Sequence, residues 1–220
     1  MSDDKLPSAL IWHLECMEFS AAAIRTFRPP ADPFQMRMHY SLFITHLFSM
    51  IDLLKDLQGK YIDAELNAEL AESGCPDQNV IPYLRELRNG IVHRGTDPTS
   101  GGTVIDGVVH TIAPFDVSKR NGSRTLAPPV PLLWPICEIS GECAKRVARR
   151  HIAYFLQGRP KATLDQVRIA IDAVPHMPKW AKDTASKHIT EEMIGLAHNA
   201  QVEKLDRLLE PGFGAYASQP

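Results

Sequence analysis

No Cys-x-x-Cys pair occurs in the sequence, and its four cysteines, Cys16, Cys75, Cys137 and Cys143, are scattered without closely spaced histidines. That argues against a zinc-finger pattern or a disulfide framework, and the cysteines read as reduced, mostly buried thiols. Charge of one sign is also missing: 24 Lys and Arg stand against 26 Asp and Glu, a formal charge of −2. Without a basic excess, any contact with nucleic acid must come from a local patch. Long apolar runs are absent. The most apolar stretch, LFITHLFSMIDLL, is broken by His46 and Asp52, short of the roughly 20 residues a membrane span requires. The opening MSDDKLPSAL is acidic before it is apolar and does not read as a secretory signal, so the expected location is the cytoplasm, with no membrane partner. There is no Walker phosphate loop, no Gly-x-Gly-x-x-Gly turn and no His-Glu-x-x-His zinc motif. Neither a metal nor a cofactor is implied. His39 and His46, seven residues apart, would meet a metal only if another helix contributed.

What is present is ordinary folded-protein composition: 220 residues, 44% hydrophobic and 23% charged. A chain of this length buries roughly 70% of its extended surface, enough for a sizeable core without staples. Apolar spacing is helical through most of it. Leu10, Leu14, Met17, Ala21 and Ile24 define a helix from Ser8, its plausible cap, to about Phe27. RPPADP at 28–33 stops it, since proline removes amide donors and fixes φ. A second helix, about Gln35 to Leu57, carries so broad an apolar face that it belongs between several others. A short acidic helix follows at about 62–72, with Asp63, Glu65, Glu69 and Glu72 on what is most simply a solvated face. A fourth, capped by Asp77, runs through NVIPYLRELRNGIVHRG to Gly95. Residues 96–131 change to alternating TVIDGVVHTI with glycine and proline, which reads as an insertion containing a β-hairpin that turns at Asp106-Gly107. Helical spacing resumes from Leu132 to Gln157, then in three shorter helices at about 163–174, 179–198 and 201–209. The expected fold is mainly α, a bundle of up-and-down helices over residues 1–158 with a small β-hairpin insertion at 96–131. Residues 159–220 would form a C-terminal helical extension packed on it. Trp12, Trp134 and Trp180 are expected as core or interface anchors.

One constellation carries chemistry. Leu87-Arg88-Asn89-Gly90-Ile91-Val92-His93 combines an Arg, a polar residue and a His five positions after the Arg. With 14 Arg and 9 His in the chain, the three spacings allowed for such a pair arise by chance about 1.7 times, and requiring Asn, Asp or His after the Arg leaves about 0.2. Arg146 to His151 has the same spacing and fails that requirement at Val147. On a helix, with Arg88 as zero, Leu84, Leu87 and Ile91 cluster at about 260–320°, while Asn89 falls at about 100° and His93 at about 140°. His93 therefore points away from the apolar stripe, to the surface or to a dimer interface. Asn89, four residues before it, is placed to orient the imidazole, and Arg85 extends the same face. Gly90 costs about 1 kcal/mol of helix stability relative to Ala, and close approach of a partner helix or of RNA would explain it.

The segment resembles the signature of the HEPN superfamily, the higher eukaryote and prokaryote nucleotide-binding domains, and the two long helices before it match that family's arrangement. The resemblance implies a metal-independent endoribonuclease of toxin or defence type, a homodimer whose motif helices face one another, with RNA as substrate and an antitoxin protein as a possible partner. It makes Arg88, Asn89 and His93 the catalytic set. Cleavage without a metal needs a base for the ribose 2′-hydroxyl, an acid for the departing 5′-oxygen and a cation for the phosphorane-like transition state. The implied products are a 2′,3′-cyclic phosphate and a 5′-hydroxyl. Arg85 and Arg94 are further phosphate candidates. So are Lys145, Arg146, Arg149 and Arg150, because residues 119–151 hold seven Lys or Arg and two Glu, a local excess of +5. The alternative of another class is a catalytically inactive HEPN-like module that binds RNA or nucleotides or another protein, and a chance match would leave a helical protein whose broad apolar helix serves assembly.

Overall fold

The computed structural model describes residues 6–58, 61–75, 79–118, 122, 125–158 and 162–213. The chain divides into two compact units, one of residues up to His151 together with the segment from Leu208, the other of residues 152–207.

In the first unit, α1 (Leu6–Ile24) and α2 (Pro33–Gln58) form an antiparallel hairpin. α1 starts two residues before Ser8, which lies inside the helix rather than capping it. The broad stripe of α2 does what its width implies. Tyr40, Phe43, Ile44, Leu47, Phe48, Met50, Ile51 and Leu54 are all at most 1% exposed, and each large apolar side chain so buried contributes about 1.5–3 kcal/mol. α3 (Ile62–Glu72), α4 (Val80–Arg94) and α5 (Leu133–His151) surround this helix. The expected acidic solvated face of α3 is corrected here. Glu69 is buried and α3 packs on α5 through ion pairs, because the basic residues of α5 meet it in antiparallel register.

Between α4 and α5, β1 (Gly102–Ile105) and β2 (Val108–Thr111) pair antiparallel with Ile105 opposite Val108. Asp106 and Gly107 turn the chain with φ of 50° and 74°, the two successive left-handed residues of a type I′ hairpin turn. A second small pair, β3 (Val117–Ser118) with β4 (Thr125–Leu126), was not read from the sequence, because its strands are two residues long. Asp77, expected as the cap of α4, and Lys119, Arg120, Asn121, Ser123 and Arg124 lie outside the described residues; the position before α4 is Asn79.

The helix read as 132–157 ends at His151, and the short α6 (Ala153–Leu156) follows in the second unit. There α7 (Leu164–Asp172) opens on a capping box in which Thr163 and Gln166 satisfy each other's backbone amides. α8 (Lys179–His188) and α9 (Glu191–Leu208) divide the remainder differently from the sequence reading. Ile189 takes an extended conformation and ends α8, whereas Asn199 sits within a continuous α9. Of the tryptophans expected as core or interface anchors, Trp134 is in the core, and Trp12 and Trp180 are 60% and 71% exposed. Among the described residues no helix is long and apolar enough to cross a membrane.

Candidate functional site

α4 sets the site. Its stripe of Val80, Ile81, Tyr83, Leu84 and Leu87 is buried, so the opposite face at its C-terminal end is turned outward. Gly95 stops the helix in a left-handed conformation, φ 66°, and the Thr96 amide returns to the Gly90 carbonyl at 3.1 Å. This return also explains Gly90. A Cβ there would lie 2.8 Å from Thr96 Oγ1 and 3.2 Å from Arg94 Nη2. The glycine thus makes room for its own chain.

His93 is exposed in the last turn and makes no hydrogen bond or ion pair among the described residues. Arg88 is partly buried on the neighbouring face, its guanidinium donating to Asn89 Oδ1 at 3.4 Å and lying 3.8 Å from Asp52 Oδ2. Asn89 is therefore engaged with Arg88, not with His93 as its spacing suggested. One turn earlier Arg85 bridges Asp52 and Asp63, 3.3 Å to each, and its guanidinium lies over the Phe48 ring at 4.9 Å. Asp63 also accepts from Lys55 at 2.6 Å. Three cations and two carboxylates leave this cluster with one net positive charge. Arg94, at the helix end, donates to the Ser118 carbonyl at 3.2 Å.

Asp52 and Asp63 were not recognised as site residues from the sequence. Asp52 was legible as the polar break in the apolar run of α2, but its place across from α4 was not. Asp63 had no such signal, since it stood among four acids on one helix.

The basic residues of α5 differ in what a polyanion could reach. Lys145 is 1% exposed, paired with the equally buried Glu18, and donates to the Gly212 carbonyl at 2.7 Å; its ammonium also lies 4.0 Å from the Phe213 ring centroid. As a phosphate ligand it is corrected. The sequence placed it outside the apolar stripe, but α1 and the segment after α9 cover that side. Arg146 donates to Glu69 Oε2 and to Ser73 Oγ, both at 2.6 Å. Arg150 pairs with Glu69 and Glu65, and His151 approaches Glu65 at 2.8 Å. The Arg146 hydrogen bond, then those of Arg150, hold the Glu69 carboxyl below the usual carboxylate range against the opposing effect of burial. Arg149 stays exposed. Of the four cations of α5, Arg146 and Arg150 are thus answered by α3 and Lys145 by Glu18 of α1.

The histidines on α2 meet no ligand set. His46 faces His13 of α1, Nδ1 to Nδ1 at 2.8 Å, and His39 lies between the Phe19 and Phe27 rings. Among the described residues no group of three or more His, Cys, Asp or Glu is arranged to hold a metal ion.

Comparison of the chain with protein-family models, with curated proteins and with solved structures finds no match. The site is interpreted from its own residues.

Proposed function

We propose that the protein is a HEPN-like, metal-independent endoribonuclease that works as a homodimer. The observation that carries this reading is the end of α4, where an exposed imidazole, uncommitted among the described residues, stands a turn and a half from a guanidinium braced by Asp52. A neutral His93 takes the proton of the ribose 2′-hydroxyl, and the 2′-oxygen attacks the adjacent phosphorus. The bond to the 5′-oxygen breaks, and that oxygen takes a proton from an imidazolium. Arg88 faces the charge that builds on the non-bridging oxygens. One imidazole cannot start neutral and protonated at once, so the second is His93 of another copy, which the outward position of the first permits. The products are a 2′,3′-cyclic phosphate and a 5′-hydroxyl, and no metal is consumed or required.

Arg85 and Arg88 are held by carboxylates rather than free. Such bracing costs affinity for phosphate but fixes geometry, and a fixed donor aimed at developing charge is worth more to the transition state than to the bound substrate. The test is cleavage of total RNA in EDTA by wild type, His93→Ala and Arg88→Ala, with product ends analysed. Expected is cleavage to cyclic-phosphate ends by wild type, reduced at least 100-fold in both variants. No cleavage by folded, dimeric wild type would favour the binding-module reading.

A further inference from the structure

The geometry points to a nucleobase pocket beside His93, and to guanine as the base it takes, an inference that rests on the ribonuclease reading of the same helix. A cleft of ≈ 220 Å³ opens between α4 and β3. It is smaller than the roughly 300–1,000 Å³ of sites for whole drug-sized ligands, which suits one ring system rather than a dinucleotide.

Its place relative to the motif follows from the helix. With Arg88 at zero, Glu86, Gly90 and Arg94 of the cleft fall at about 160°, 200° and 240°, while His93 falls at about 140°. The cleft and the Arg85–Arg88–Asp52 cluster therefore flank His93 on opposite sides. Gly90 and Arg94 are within about 5 Å of His93 along the helix axis. A phosphate held at Arg88 and His93 sends one of its two neighbouring bases toward the cleft.

The lining has the chemistry of a base site. Leu87, Pro114 and Val117 give flat apolar walls, and Gly90 removes a side chain from the floor. Two carboxylates, Glu86 and Asp116, one guanidinium, Arg94, and the side chains of Thr96 and Ser118 complete it. Neither carboxylate has a hydrogen-bond partner among the described residues. Guanine alone among the four bases offers two adjacent donors, N1–H and N2–H, which one carboxylate accepts together. It also offers two adjacent acceptors, O6 and N7, which a guanidinium meets in a fork. Adenine and uracil interleave donors and acceptors, and cytosine pairs its adjacent acceptors N3 and O2 with a lone amino donor, so none of the three offers a carboxylate two adjacent donors.

The experiment titrates full-length protein in EDTA with guanosine, adenosine, cytidine and uridine monophosphates, read by calorimetry and saturation-transfer NMR. The same variants are assayed on RNA oligonucleotides differing in one base beside the cleavage position. Expected is guanosine monophosphate binding at least tenfold tighter than the other three. Glu86→Gln, isosteric and on a half-buried position, should bring it within about twofold of them, and His93→Ala should leave the preference intact. The exposed Asp116→Asn is the second probe, should Glu86→Gln alter folding by circular dichroism. No nucleotide binding, another base preferred, or a guanine preference untouched by both variants would overturn the pocket. RNA cleaved with a base preference that neither variant changes would also overturn it while leaving the nuclease standing. Guanine binding lost in the variants, without RNA cleavage, would sustain the pocket and remove the nuclease.

Discussion

Lys145 shows how a single side chain changes meaning between sequence and structure. Its spacing put it on an outward face with Arg146 and Arg149, yet it is buried against Glu18 and the Gly212 carbonyl. Periodicity reports one helix's apolar side; it cannot report that α1 and a segment 65 residues later cover the other. A buried pair of this kind contributes little net stability, but removing one partner strands a charge. Lys145→Ala is expected to lose about 3–5 kcal/mol in urea unfolding, and Lys145→Met with Glu18→Leu to recover most of it. Gly141 gives a second case. A Cβ there would come 2.5 Å from Phe213 Cζ and 3.0 Å from Phe43 Cζ, both atoms of rings locked in an edge-to-face cluster with Trp134. Gly141→Ala should therefore cost about 1–3 kcal/mol despite its gain in helix propensity. Phe213→Leu in the same chain should return part of that loss, a coupling that a double-mutant cycle measures directly. Nothing in the sequence around Gly141 signalled this, because both rings come from distant segments.

At the scale of elements, helix pairs carry the pH dependence. On α1 and α2 the facing imidazoles of His13 and His46 disfavour a second proton. Burial, with His46 adding repulsion, pushes His13 from its usual 6.5 down to about 4. The folded state then binds fewer protons than the unfolded chain between those values, so stability is complete above about pH 6.5 and falls as pH drops toward 4. Glu69, between α3 and α5, acts in the same direction at lower pH. Its carboxyl lies below its ordinary 4.5, so its contribution is present above that value and is lost as pH falls through the lowered folded one. Thermal unfolding followed by circular dichroism should give a lower Tm at pH 5 than at pH 7.5, and His13→Gln should flatten the slope in that window. A Tm in the variant that still falls as steeply would assign the acid sensitivity elsewhere. Existence and order of α1 to α5 were legible because the apolar period runs through each. The contacts between α3 and α5 were not, since complementary charge on two helices reads from each alone as solvation.

Across the whole molecule, the legible part was the mainly helical bundle with its hairpin, and the hidden part was closure of the first unit by residues 208–213. Phe213 is 2% exposed against Phe43 and Trp134, a contact spanning 170 positions that no local pattern announces. The motif was legible for a related reason: Arg88, Asn89 and His93 lie within two turns of one helix, so spacing alone placed them. What spacing cannot supply is a second imidazole, and this determines how activity must depend on concentration. If two copies each lend His93 to one cleavage centre, specific activity is constant above the dimer dissociation constant and falls in proportion to concentration well below it. Light scattering on a size-exclusion column should give a dimer mass at the higher concentrations and a monomer at the lower. Mixing is the sharper test. A threefold excess of His93→Ala, equilibrated with wild type, leaves about one quarter of the wild-type chains in all-wild-type dimers when exchange is statistical. Cleavage should then drop about fourfold, whereas independent sites would keep the full rate of the wild-type chains present.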